Sequence, residues 1–144
     1  MSEPGYQAPD LALLGPEHVR RYQETGGEVG YLWNGVPTLL LTTTGRRTGQ
    51  PRTTPLIFGR DGDDYLVVAS MGGAPRHPAW YLNLADRPDV VIQVHAEHLP
   101  VTARTAAADE KPRLWRTMTE LWPNYDIYQT RTERVIPLVV LTPA

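Results

Sequence analysis

With 144 residues, a net charge of −2 and no cysteine, the chain has the length for one domain with one core, and disulfides, a thiol nucleophile and a thiolate metal site are excluded. Its mild acidity argues against a general nucleic-acid binder, and no apolar run approaches the ~20 residues that a membrane span requires. The N-terminus MSEPGYQAPD carries neither a basic nor an apolar leader region, so a cytoplasmic location is expected, with peripheral membrane contact left open.

Residues 1–15, rich in Pro, Gly and Ala, are expected to form a loose arm, and residues 16–144 a single domain. Pro16 suits the first position of a short helix that Gly26-Gly27 ends. Val36 to Thr44 is an almost continuous apolar and β-branched run, the pattern of a strand covered on both faces. Thr53 to Arg60 and Tyr65 to Ser70 then flank Asp61-Gly62-Asp63-Asp64, a hairpin signal. Met71 to His77 reads as a loop, after which Pro78 opens a short aromatic helix that Arg87-Pro88 ends. Val90, Ile92 and Val94, then Leu99, Val101 and Ala103, alternate around a turn at Ala96 to His98; this second hairpin is placed at a sheet edge by Pro100. Asp109 is read as the cap of a helix that buries Leu114, Trp115, Met118, Leu121 and Trp122 before Pro123 stops it. NYDIYQTRTER reads as a polar link into a last strand, Val135 to Thr142, which needs a buried slot. Six strands in this order predict an α+β, mainly β, closed or half-closed barrel with flanking helices; a doubly wound sheet is the weaker reading because strands and helices do not alternate.

The chemistry concentrates in the first half. From Val29 to Arg60 there is no acidic residue, yet Arg46, Arg47, Arg52 and Arg60 all fall there, so the rest of the chain sums to −6. In GRRTGQPR, between two strands, glycine-freed backbone N–H groups and guanidinium forks occur together, as phosphate or polycarboxylate oxygens need. The pattern is neither a Walker loop nor a dinucleotide fingerprint, and a solvated turn with surface arginines is the competing reading. Ser70-Met71-Gly72-Gly73, between a strand and a helix, either lets backbone approach a ligand or is a plain connector. Trp80 and Tyr81 read more readily as core than as a ligand platform. Trp122, Tyr125 and Tyr128 recur at a spacing of three and would line one side of a pocket, their phenols available as proton donors. His95 and His98 lack the cysteines that a zinc motif would add, no carboxylate pair or nucleophile elbow stands out, and no metal site is expected. Hydrolysis has no visible apparatus, which leaves binding or cofactor chemistry.

Three segments, LLLTTTGRRTGQPRTTPL, VVASMGGAPRHPAWYLNLADRPDV and TRTERVIPLVVLTP, together resemble the deazaflavin (F420)-dependent nitroreductase and quinone reductase family over Leu39 to Pro143. The resemblance implies a split β-barrel that binds reduced coenzyme F420 and passes its hydride to a planar quinone, nitroaromatic or enone acceptor. It assigns Arg46, Arg47, Thr48 and Arg52 to the coenzyme's phosphate and glutamate tail. It assigns Thr54, Pro55, Leu56, Ile57, Ala69, Ser70 and the Met71-Gly72-Gly73 turn to the deazaflavin, with Ala79, Trp80 and Asn83 closing the far side. Trp122, Tyr125 and Tyr128, together with Ile57, match the acceptor positions, and Tyr125, Tyr128 and Ser70 are the candidate catalytic groups. Two departures are visible: Met71 and Arg47 stand where lysine is common, and Trp122 where a tyrosine is common. A coenzyme carrier without turnover, an FMN-binding relative and a single-strand nucleic-acid barrel are the rival readings.

Overall fold

The computed structural model describes residues 15–144, so the expected arm falls almost wholly outside the described residues. Among the described residues four α-helices surround an eight-stranded sheet in which every pairing is antiparallel: α1 (Gly15–Thr25), β1 (Leu32–Trp33), β2 (Val36–Thr44), β3 (Pro51–Ile57), β4 (Gly59–Asp61), β5 (Asp64–Val68), α2 (Ala79–Asp86), β6 (Asp89–Val94), β7 (Glu97–Thr105), α3 (Lys111–Leu121), α4 (Asn124–Thr130) and β8 (Leu138–Pro143). The strand order is β1-β2-β6-β7-β8-β5-β4, with β3 paired to β2. Strands β3 and β4 are separated in the chain by Phe58 alone, yet they lie at opposite ends of this path. A single residue cannot bridge a flat sheet, so the sheet must curl until its two edges meet, which makes it a split half-barrel.

The two faces of the curled sheet carry separate cores. Leu39, Leu41, Phe58, Val67, Ile92, Val139 and Leu141 fill the barrel interior, while Leu66, Val68, Leu138 and Val140 face outward onto Leu114 and Met118 of α3 and Tyr125 of α4. The period of two along β5 and β8 thus feeds both cores, and the last strand occupies the buried slot that its apolar run demands. Tyr22 of α1, fully buried, fastens that helix to the barrel: its hydroxyl donates to Thr38 O at 3.0 Å and accepts from His95 N–H at 2.9 Å.

Several expectations are corrected. Thr53 to Arg60 is not one strand: Phe58 divides β3, which pairs with β2 across the arginine turn, from β4, which pairs with β5 around Gly62. A run of apolar and β-branched residues does not reveal a change of partner, and this division together with the two-residue β1 raises six strands to eight. Pro100 is not on an edge strand, since β7 lies between β6 and β8; it sits where β8 is running out, its carbonyl accepting from Ala144 N–H at 3.0 Å. Asp109 does not cap α3; Glu110 occupies that position and its carboxylate accepts from Ala107 N–H at 2.7 Å. The polar link at Asn124 is the helix α4, a second turn-rich start that Pro123 permits after it has ended α3.

Candidate functional site

The arginine turn is a closed loop of hydrogen bonds. Gly45 N–H donates to Gln50 O and Gly49 N–H to Gly45 O, both at 2.8 Å, and Gln50 N–H donates to Thr48 Oγ1 at 3.2 Å. Gly49 has φ +73°, and a Cβ on Gly45 would come within 2.9 Å of Thr48 Oγ1, so both glycines are demanded by the turn. Arg46 and Arg47 stand at its exposed tip, with Arg52 at the start of β3. Asn83 of α2, 4% exposed, ties the turn down: its Oδ1 accepts from Arg46 N–H and Nη1, and its Nδ2 donates to Thr43 Oγ1, each at 3.2 Å. The Asn83 side chain therefore acts first as a buttress of the turn, although it also lines the cleft.

That cleft, about 400 Å³, is lined by Gly45, Arg46, Arg47, Thr48, Arg52, Thr54, Ala79, Trp80 and Asn83. No acid lines it, and Arg46, Arg47 and Arg52 form no ion pair among the described residues. The scaffold arginines contrast with them: Arg20 bonds to Glu17 and Glu24, Arg104 to Glu110, and Arg113 to Asp61.

Thr54 and Trp80 also line a second cavity of about 490 Å³, so the two volumes meet at these residues. Its walls include Pro55, Leu56 and Ile57 of β3, Ser70, Met71 and Gly72, and Trp122, Tyr125 and Tyr128. Trp122 Nε1–H and Asn124 Nδ2–H both donate to the Tyr128 hydroxyl oxygen, at 3.3 and 3.4 Å. Both neighbours are donors, so the phenol's own proton is directed elsewhere. Tyr125 stands edge-on to Tyr128 with ring centroids 6.2 Å apart, and burial pushes its phenol well above the usual tyrosine range. The Ser70 hydroxyl makes no hydrogen bond to a described residue, whereas the Ser70 carbonyl accepts from Gly73 N–H at 3.0 Å and from Arg134.

The structure brings most of the expected residues to these two cavities. Ala69 and Gly73 line neither: Ala69 is fully buried beside β8, and a Cβ on Gly73 would meet Tyr128 O at 2.6 Å, so this glycine lets α4 pack close. Trp80 lines both cavities and also packs on the barrel core, while Tyr81 bonds Thr105 Oγ1 at 2.8 Å. Sequence reasoning missed Trp33, His18, Thr38 and Pro78 on the second cavity. Trp33 belongs to a strand of two residues, too short for any periodicity to announce it. Of the histidine pair, His95 stacks on Tyr31 with centroids 3.6 Å apart and His98 is exposed on β7.

An aromatic-lined apolar cavity that opens onto arginines without ion pairs suits an aromatic group bearing an anionic tail, and the hydroxyls around it suit proton transfer beside such a group. Fold and cleft together define a split-barrel protein with an aromatic-lined cavity beside a cluster of arginines. Residues 15–143 match the family model described as F420H(2)-dependent quinone reductase. F420H(2)-dependent quinone reductase Rv1261c of Mycobacterium tuberculosis is 49% identical over 129 residues, covering 87% of each chain. Among solved structures, F420-H2 Dependent Reductase (FDR-A) superposes with a TM-score of 0.68 at 40% identity, covering 73% of this chain and 93% of that one. The heme storage protein HutZ from Vibrio cholerae, 19% identical with a TM-score of 0.55, over 92% of this chain and 91% of its own, shares the fold alone. The chain belongs to the F420H(2)-dependent quinone reductase family.

Proposed function

We propose that this protein is an oxidoreductase that uses reduced coenzyme F420 to reduce quinones, and that planar nitroaromatics and enones are further acceptors. The observation that carries the reading is the junction at Thr54 and Trp80, where a cleft of uncompensated arginines opens into an aromatic cavity. Reduced F420, when bound, supplies the hydride, and no nucleophile or metal is asked of the protein. Arg46, Arg47, Thr48 and Arg52 would hold the phosphate and tail carboxylates by charge-assisted hydrogen bonds. Thr54 to Ile57, Ser70, Met71 and Trp80 would shape the slot for the flat ring and keep water from it.

Trp122, Tyr125 and Tyr128 would wall the acceptor. Tyr128 is the phenol placed to serve as proton donor: two N–H groups already point at its oxygen and would hold the charge left after its proton is given up. Burial opposes the same charge on Tyr125. Trp122, which stands where a tyrosine is common, therefore contributes an indole N–H to its neighbour rather than a phenol to the acceptor. Titration of the purified protein with oxidised F420, FMN and NADP tests the reading. F420 is expected to bind far more tightly than the others; preference for FMN would make the protein a flavin relative, and F420 binding without turnover across a quinone panel would make it a carrier.

A further inference from the structure

Arg134 lies in the segment TRTERVIPLVVLTP ahead of β8, outside the arginine turn, and all three of its guanidinium nitrogens bond to residues between 69 and 77. Nε–H donates to Ala74 O at 2.8 Å, Nη1 to Ala69 O at 3.2 Å and Nη2 to Ser70 O at 2.7 Å, while His77 Nδ1 lies 3.1 Å from Nη1. Arg134 has no ion pair among the described residues, and partial burial lowers its pKa from the usual guanidinium value. An arginine without a carboxylate whose fork is spent on the carbonyls of one segment is a fastening for that segment.

The segment has need of one. Met71 has φ +48° and Gly72 φ +66°, and a left-handed methionine persists only where its surroundings hold it. Ser70, Met71 and Gly72 form one wall of the aromatic cavity, and the loop runs on through His77 to Pro78, the N-cap of α2. That helix carries Trp80, at the junction of the two cavities, and Asn83, which buttresses the arginine turn. The Arg134 guanidinium thus makes most of the side-chain hydrogen bonds to the backbone from which both cavities take a side, with Arg131 Nη1 adding one to Gly72 O at 3.4 Å.

We propose that Arg134 is a positioning residue that holds the Ser70–His77 loop in the shape that receives the coenzyme, an inference that rests on the F420 reading. The ammonium of a lysine cannot span the same carbonyls, so Arg134→Lys restores the fastening only in part.

The test is hydrogen–deuterium exchange of the coenzyme-free protein, with fluorescence titration of oxidised F420, for the parent, Arg134→Lys and Arg134→Gln. In Arg134→Gln, exchange over residues 70–77 is expected to quicken and F420 affinity to fall, each by on the order of tenfold, while strand β8 keeps its protection and Arg134→Lys falls between. Unchanged exchange over residues 70–77, or a loosened loop with unchanged F420 affinity, overturns the proposal. So does an equal rise of exchange in β8, or loss of the folded state in both variants, since Arg134 would then support the whole fold. A parent that fails to bind F420 strikes the functional reading instead, and the exchange comparison still decides whether the loop depends on Arg134.

Discussion

The two ends of the cleft are built on opposite principles. At the arginine end, Arg46, Arg47 and Arg52 are exposed at or beside a turn between two strands, charged and without carboxylate partners among the described residues. At the tyrosine end, Trp122 and Tyr125 are buried and uncharged, packed by α3 and α4 against the outer core. Exposed cations without ion pairs suit the capture of an anion from water, because no existing pair has to be broken before the ligand binds. Closely packed phenols suit a reaction, because an oriented hydroxyl needs no reorganisation when charge develops. Under the proposed assignment of coenzyme to the first end and acceptor to the second, the two tasks are separable in this molecule.

The largest expected effect breaks the tyrosine end alone. Tyr128→Phe should lower turnover by ~10²-fold to 10⁴-fold while leaving the coenzyme dissociation constant near the parent value, as steady-state kinetics and fluorescence titration of the same samples will show. Tyr125→Phe should do much less, because nothing beside it is placed to hold the phenolate charge. Equal losses in the two variants would remove the distinction drawn from the Trp122 and Asn124 donors.

Next in size is the arginine end. Arg47→Ala and Arg52→Ala should each weaken F420 binding by about 1 to 3 kcal/mol, and the affinity of the parent should fall with added salt. Arg113→Ala, which removes a scaffold guanidinium paired with Asp61, should leave that affinity unchanged. Were Arg113→Ala to weaken binding as much as Arg47→Ala, overall charge rather than the unpaired turn would be the source of affinity.

A smaller, pH-dependent effect is expected where the two ends meet the loop that Arg134 holds. Partial burial and the neighbouring Arg134 cation lower the pKa of His77 below 6.5. The unfolded chain therefore takes up this proton more readily, so the contribution of neutral His77 is fully present above 6.5 and is lost as the pH falls through the lowered folded value. The groups shown beside it are the Arg134 guanidinium at 3.1 Å and the Tyr81 ring, neither of which favours the imidazolium. Stability should decline below this point in the parent and lose that dependence in His77→Asn, followed by thermal unfolding across pH.

The smallest effect lies on the scaffold. The Arg104 guanidinium and the Ala107 N–H hold the Glu110 carboxyl down to about 2. Its contribution is present above the ordinary value of 4.5 and lost as the pH falls through about 2, so Glu110→Gln should shift acid unfolding, followed by circular dichroism, without altering coenzyme affinity.

How much of this was legible in the sequence differs between the same two ends. The arginine turn is local: its glycines, threonine and arginines are adjacent in GRRTGQPR, and the absence of acids from Val29 to Arg60 marks it without a structure. The aromatic spacing from Trp122 to Tyr128 was visible too, but the helix that carries it was not, because NYDIYQT is polar and only seven residues long. Barrel closure depends on Phe58 carrying the chain from one sheet edge to the other, an event of tertiary pairing to which a continuous β-like run is blind. The role of Arg134 was hidden for a similar reason: its partners stand 57 to 65 residues away in sequence. The motif that contains it was visible, its contacts were not.

The central claim is that the protein, having bound reduced F420 at the arginine cleft, reduces a quinone at the tyrosine end. Mixing the purified protein with reduced F420 and menadione without oxygen, and following the return of the visible absorption band of oxidised F420, tests it most directly. Protein-dependent return of the band is expected, with turnover saturating in both reactants and slowed sharply by Tyr128→Phe. A parent protein that binds F420 yet oxidises it no faster than the protein-free mixture would contradict it.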